Sequence, residues 1–191
     1  MNLFSLLAEG FDLPILDWIA ANLWCPFLDA VMPLITLLGD AGIFWMVIAA
    51  ALLLFKKTRR VGLGMGFAML MGLLLCNVTL KPLCQRPRPY DYQYDVFDKL
   101  IPLLIDRQHD FSFPSGHTIA SFEAAGVITL NNRKWGIAAL VLASLIAFSR
   151  LYLYVHYPTD VLVSLVLGIA LAFLGNWLAH RIPDRYLLLK K

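Results

Sequence analysis

The strongest constraint on this chain is the length and order of its apolar runs. A helix rises 1.5 Å per residue, so about 20 apolar residues are needed to cross the hydrocarbon core of a bilayer. Six runs approach or exceed that length, at 13–38, 41–55, 60–80, 116–130, 134–148 and 158–180. In lipid every backbone polar group must be satisfied inside its own segment, so such runs fold as helices. The fold class read from the sequence is therefore all-α: a polytopic membrane protein of six transmembrane helices in one bundle, a single domain over 1–191. Of the residues, 60% are hydrophobic and 15% charged, where a soluble domain is nearer half and a quarter. A net charge of +3 is too small to imply a nucleic-acid partner; the bilayer is the expected one.

Pro26 and Pro33 predict a kink in the first run, and runs 41–55 and 116–130 are short enough to need flanking residues. The opening "MNLFSLLAEGFD" has no positive n-region and no cleavage site after an apolar core, so no signal peptide is read there. Cys25, Cys76 and Cys84 lack metal-ligand spacing and read as buried small apolar residues.

Positive charge gives an orientation. The connectors "KKTRR" (56–60) and "NNRK" (131–134), with Arg181, Arg185, Lys190 and Lys191 of the tail, hold ten of the sixteen Lys and Arg residues. An even number of spans puts all of them on one face, which the positive-inside rule makes cytoplasmic, together with both termini. The opposite face receives the Gly39–Asp40 turn, the stretch 81–114 and the junction 149–159. Residues 85–113 are many for a structureless loop. Within them "DVFDKLIPLLI" (95–105) has an interrupted apolar stripe and reads as a short interfacial helix.

Three polar stretches share that outer face. In "LKPLCQRPRPY", Lys81, Arg86 and Arg88 stand among Pro82, Pro87 and Pro89, which favour extended backbone over helix. They read either as snorkelling anchors or as a stiff strip of cations. In "FPSGH", Ser115 is a good N-cap, and Gly116 leaves the helix N-terminus open to an anion beside His117; alone, it is equally a capped span with an interfacial histidine. In "SRLYLYVHYPTD", Arg150 closes one run, Pro158 opens the next, and Asp160 in its first turn can reach back to His156. A carboxylate on one imidazole nitrogen leaves the other free as a nucleophile.

Together the stretches supply cations, a helix N-terminus, two histidines and an orienting carboxylate at one membrane boundary. Such a set fits attack on phosphorus by one histidine and protonation of the leaving oxygen by the other, with Arg and Lys holding the spreading charge. No Asp/Glu/His cluster with ligand spacing is present, so neither metal nor cofactor is expected. Glu123, an acid inside a span, is functional by default; it serves the site from below or bonds another helix.

At these residues the chain resembles the type-2 phosphatidic-acid phosphatase family of membrane lipid phosphatases, which shares a site with vanadium haloperoxidases. The family signatures KxxxxxxRP, PSGH and SRxxxxxHxxxD are matched by Lys81 with Arg88–Pro89, by Pro114 to His117, and by Ser149, Arg150, His156 and Asp160. This sets a signature-bearing core at 81–160 and leaves Arg86–Pro87 at the wrong spacing. The resemblance implies His156 as nucleophile forming a phosphohistidine, Asp160 orienting it, and His117 as general acid and then base. Lys81, Arg88, Ser115, Gly116 and Arg150 would hold the phosphate, with Arg86 at most a supporting charge. The implied substrate is a lipid phosphate or diphosphate at the outer face. Chains of this size resemble undecaprenyl-diphosphate phosphatases. A phosphatidic-acid or phosphatidylglycerol-phosphate phosphatase, a lipid phosphotransferase and a non-catalytic anionic-lipid binder are the alternatives.

Overall fold

The computed structural model describes residues 3–183 and Leu187, and all its regular structure is helical. Arg185, Lys190 and Lys191 of the expected basic tail lie outside the described residues. Helix α1 (Leu3–Leu7) runs through a π-helical turn (Ala8–Asp12) into α2 (Leu13–Leu23). The chain breaks at Trp24–Cys25 and resumes as α3 (Pro26–Leu37), with Pro26 at the first helical position, where a missing N–H costs nothing. Pro33 sits inside α3 without ending it. A short 3₁₀ turn (Asp40–Gly42) leads to α4 (Ile43–Leu54).

After the first basic connector come α5 (Arg59–Leu73), a π-helical stretch (Leu74–Leu80) and α6 (Lys81–Cys84). Prolines here do not exclude helix: Pro82 and Pro89 each sit in a first turn, and only 85–88 is non-helical. The helix of the long 85–113 stretch is α7 (Pro89–Phe97), upstream of the expected 95–105, most of which is irregular. Pro89 at its start and Asp98 in the left-handed region at its end fix those limits. Helices α8 (Gly116–Asn131), α9 (Arg133–Tyr152) and α10 (Pro158–Arg181) complete the chain.

Three helical stretches are long and apolar enough to cross a membrane: the one beginning at Arg59, Arg133–Tyr152 and Pro158–Arg181. The pair Pro26–Leu37 and Asp40–Leu54, bent by 40°, passes the same test of length and composition together, as a broken span or a re-entrant turn. Here the structure differs from the six-run reading, in which 13–38 and 41–55 cross separately. Polar anchors explain the difference. Trp24 Nε1 donates to Tyr152 O, Tyr152 Oη to Asp29, Arg150 to Thr36, and Thr159 N to Asp12. Phe4 packs on Phe113, and Tyr92 Oη donates to Glu9. The N-terminal helices thus lie against the end of the bundle that carries Phe113, Tyr152 and Thr159. They are not at the end with the basic connectors, where an even span count put the N-terminus. At that other end Arg60 caps Ala179 O and Ile182 O, so the 56–60 connector and the end of α10 do share a face.

The central core joins α4, α5, α8, α9 and α10 through Trp45, Met65, Ala68, Phe122, Ala125, Ala143, Ile146 and Ala172. A second core, around Leu16, Met32, Tyr90, Tyr152, Tyr154 and Tyr157, fastens α2 and α3 to the α9–α10 junction. Many large apolar side chains face outward, among them Phe27, Leu54, Trp135, Val166 and Phe173. Such a surface suits lipid. Of the three cysteines only Cys76 is buried; Cys25 is exposed at the α2–α3 break and Cys84 is half-buried.

Candidate active site

Ser115 caps α8, as expected, with its Oγ accepting from Thr118 N at 3.4 Å and from Thr118 Oγ1 at 2.9 Å. This starts the helix so that Gly116 and His117 face a cavity of about 590 Å³. Lys81, Arg88, Arg150 and His156 line the same cavity, so the three separated stretches converge on one space. Ser115 is wholly buried beside it and held by Ser164, whose Oγ accepts from Ser115 N at 2.8 Å. Asp160 stands behind His156, away from the cavity.

The donors and acceptors assign the imidazole protons. His156 Nε2 lies 3.3 Å from Arg88 Nη1, which can only donate, so Nε2 is the bare nitrogen. On the other side of the ring, Nδ1 is 3.5 Å from both Ser112 Oγ and Asp160 Oδ2, a loose contact that leaves the carboxylate to orient the ring through its charge. Burial pushes the His156 imidazole well below its usual value, and Arg88, Arg150 and Lys81 push it the same way. His156 is thus neutral, with a lone pair beside two arginines. His117 is the converse. Its Nε2 is 2.7 Å from Asp40 Oδ1 and 3.3 Å from Arg150 Nη1, and the shorter contact makes Nε2–H the donor to Asp40. Gly39 makes room for that ring, since a Cβ there would meet His117 Cδ2 at 2.6 Å.

The cations are held ready. Arg88 donates to Val155 O (2.7 Å), Asp110 O (2.9 Å) and Asp110 Oδ1 (2.5 Å), and Lys81 pairs with the other oxygen of Asp110. Partial burial opposes the charge on Asp110, but the Lys81 ammonium and the Arg88 guanidinium outweigh it and hold the carboxyl at about 2. Arg150 is 1% exposed and gives Nη1 to Thr36 Oγ1 at 2.6 Å, while its Nε has no partner among the described residues. A buried donor without an acceptor is costly unless a ligand supplies one. Arg150 Nε is thus a donor without an acceptor on a residue that lines the cavity.

One expected residue sits outside the cavity and another lies deeper within it. Arg86 does not face the cavity; it is buried behind Asp160, with Nη1 2.5 Å from Asp160 Oδ1. Glu123 lines the cavity deeper down α8, packed against Gly72, where any Cβ would meet its Oε1 at 1.8 Å. That oxygen is buried without a partner among the described residues, so among them no bond from Glu123 Oε1 to another helix is made. Sequence reasoning missed Asp40, Asp110, Ser112 and Asp12. For Asp40 a signal existed, as the one acid in the turn between the first two runs.

Below the histidines the cavity continues between α4 and α5 past Met46, Ala49, Met69 and Leu70 to Leu53 and Gly62. Its polar end could bind a phosphoryl group and its apolar length a hydrocarbon chain.

Comparison with known proteins gives the family. An undecaprenyl-diphosphatase of Sulfolobus acidocaldarius is 31% identical over 132 residues, covering 69% of this chain and 61% of its own length. The match thus spans less than two thirds of that relative. Among solved structures, LpxE of Aquifex aeolicus superposes with a TM-score of 0.73 at 27% identity, over 86% of this chain and 93% of that one. A transmembrane PAP2-type phosphatidylglycerolphosphate phosphatase of Bacillus subtilis gives 0.68 at 29% identity, over 94% of each chain. With the family model matching residues 61–184, the chain belongs to the PAP2 superfamily.

Proposed function

We propose that this protein is a membrane lipid phosphatase that releases phosphate from a lipid phosphate or diphosphate through a phosphohistidine. The observation that carries the reading is the pairing of a bare His156 Nε2 with a protonated His117 Nε2, each beside an arginine and both facing one cavity. His156 Nε2 attacks phosphorus, and the bond to the leaving oxygen breaks as His117 gives that oxygen its proton. The step uses His117 as an imidazolium, the form that the Asp40 carboxylate and an incoming phosphate dianion favour; once neutral, it takes a proton from water, which displaces His156 and frees inorganic phosphate. Lys81, Arg88, Arg150 and the N–H of Gly116 neutralise the phosphoryl oxygens, so side chains do the electrostatic work without a metal. Ser115 holds the start of α8 beneath them.

The apolar cavity between α4 and α5 supports a substrate with a long hydrocarbon chain. We place undecaprenyl diphosphate first, because the Sulfolobus relative bears that activity in its name. A phosphatidylglycerol-phosphate phosphatase is the second reading, favoured by the likeness to the Bacillus structure along nearly its whole length. The whole chain is read as one catalytic unit in the cell membrane. The site end faces outward and the basic connectors lie on the cytoplasmic side with Arg181. Helix α8 is read as a further crossing, and α7 lies at the interface with Tyr94, Val96 and Phe97 exposed.

The test is phosphate release by the purified protein from undecaprenyl diphosphate, phosphatidic acid and phosphatidylglycerol phosphate in detergent with EDTA. Release should persist in EDTA and vanish in His156→Ala. Inactivity on all three would leave an anionic-lipid binder, and phosphate appearing on a lipid acceptor would mean transfer.

A further inference from the structure

Behind Asp160 lies a buried polar network to which neither the signatures nor the phosphoryl site assigns a role. Asp160 has both oxygens engaged: Oδ2 accepts from Ser112 Oγ at 2.5 Å and Tyr157 N at 3.1 Å, and Oδ1 from Arg86 Nη1 at 2.5 Å. Arg86 turns its other arm, Nη2, to Asp12 Oδ2 at 2.6 Å. Asp12 also accepts from Thr159 N at 2.8 Å and Thr159 Oγ1 at 2.7 Å, and that hydroxyl accepts from Arg86 Nη1 at 2.8 Å. The guanidinium lies 3.7 Å above the Tyr157 ring and 5.0 Å from that of Phe4. Asp12, Arg86 and Asp160 are each no more than 1% exposed.

We propose that Asp12 and Arg86 are positioning residues for the reaction, acting on His156 through Asp160, and that the N-terminal helix is thereby part of the catalytic unit. The proposal rests on His156 being the nucleophile. Asp12 precedes residues 61–184, over which the family model matches. Two features argue for more than packing. First, Arg86 is clamped between two carboxylates and an aromatic face, so its Nη1 fixes the rotation of Asp160 and with it the oxygen turned to His156 Nδ1. Second, the charges are graded. Alone, Arg86 would cancel Asp160 and remove the negative charge behind the imidazole. With Asp12 sharing the guanidinium, the triad keeps one net negative charge, which favours the imidazolium-like charge that develops as Nε2 bonds to phosphorus.

His156 also faces Arg88, Arg150, Lys81 and His117 from the other elements around it, and these stay in place in the variants that test the idea. In Asp12→Asn the carboxyl becomes an isosteric amide and the triad loses its net charge. Partners that orient a reactive histidine from behind typically contribute 10- to 100-fold, as they do at metal sites, so kcat should fall by roughly tenfold or more with KM within about twofold. The acid limb of the pH profile should move to lower pH, because the imidazolium is less stabilised. Since removing one partner of a buried ion pair is also destabilising, Thr159→Val offers a milder variant that keeps bulk and removes the bridging hydroxyl; a loss of several-fold in kcat is expected. Carbethoxylation by diethyl pyrocarbonate, followed by mass spectrometry at each of the four histidines, reads the nucleophilicity of His156 without any lipid substrate. Both variants should slow labelling of His156 and leave His180 unchanged, and Asp12→Asn should also shift the His156 midpoint to lower pH. Wild-type rates and midpoint at His156 in the folded variants would overturn the proposal. Absence of phosphate release from the wild type would strike the phosphatase reading instead, while the labelling still decides this one.

Discussion

Replacing Asp110 by asparagine should tighten the binding of a phosphate analogue. In the structure Asp110 holds the two cations, Lys81 and Arg88, that the proposed phosphate site needs, one on each carboxylate oxygen. An incoming dianion must displace it. The strength of its hold follows from its titration at about 2 instead of the ordinary 3.8. A displacement of that size corresponds to roughly 2 kcal/mol in a dry site. Its side chain is 53% exposed, so water screens the attraction, and about 1 kcal/mol is the fair figure. Asparagine keeps the shape and removes the charge, so orthovanadate should bind about fivefold more tightly. The assay is inhibition of phosphate release in detergent, with Ki compared at pH 5, 6.5 and 8. The gain should hold at all three, because the folded carboxyl stays ionised well below that range. A Ki that is unchanged or higher in Asp110→Asn would refute the reasoning, and would mean that Asp110 aims the two cations rather than competing for them.

Three further outcomes are expected. The acid limb of kcat/KM should lie below pH 6.5: burial and three cations depress the His156 pKa, so the neutral form persists as pH falls and is lost only on passing the lowered value. A limb above pH 6.5 would contradict that environment. Gly39→Ala should displace the His117 ring, which lies 2.6 Å from the added Cβ, and lower kcat by on the order of 100-fold, with some loss of thermal stability because the same Cβ meets Ile146 Cγ2 at 2.8 Å; an unchanged kcat would take His117 out of proton transfer. Glu123→Leu should raise the melting temperature, since a buried oxygen without a partner costs about 1–3 kcal/mol. A lower melting temperature would show that lipid or water satisfies this carboxyl in the membrane.

What the sequence made legible was whatever is local. The cap at Ser115, the break at Pro26 and the proline start of α10, which puts Asp160 within 3.5 Å of His156, follow from backbone chemistry, and the structure shows them so. Sidedness was half legible. The basic connectors and the end of α10 do share a face, because charge near span ends is read directly from sequence. The N-terminal helices were misplaced because an apolar run of 26 residues looks like a crossing whether lipid or the rest of the protein covers it. Only tertiary partners reveal that Asp12, Asp17, Asp29 and Thr36 tie that run to the site end.

The same limit explains which side chains were missed at the site. Two of the cations found from the motifs, Lys81 and Arg88, share an anion that the motifs do not contain, Asp110, and Arg86 has Asp12 beside the motif's own Asp160, while Arg150 gives Nη1 to Thr36. A cluster of buried positive charge cannot persist without counter-charge, because desolvation of unpaired ions outweighs any packing gain. The charges therefore had to be balanced, and the sequence dictates only that requirement. Which acids meet it depends on loops and helices far apart in the chain, 22 residues away for Asp110 and 74 for Asp12. Exposure then separates their roles. Asp110, half open to water beside the cavity, is the anion that a substrate would replace under the proposed function. Asp12, sealed behind Asp160, is one that substrate cannot reach, and so its charge is a fixed part of the environment in which His156 reacts.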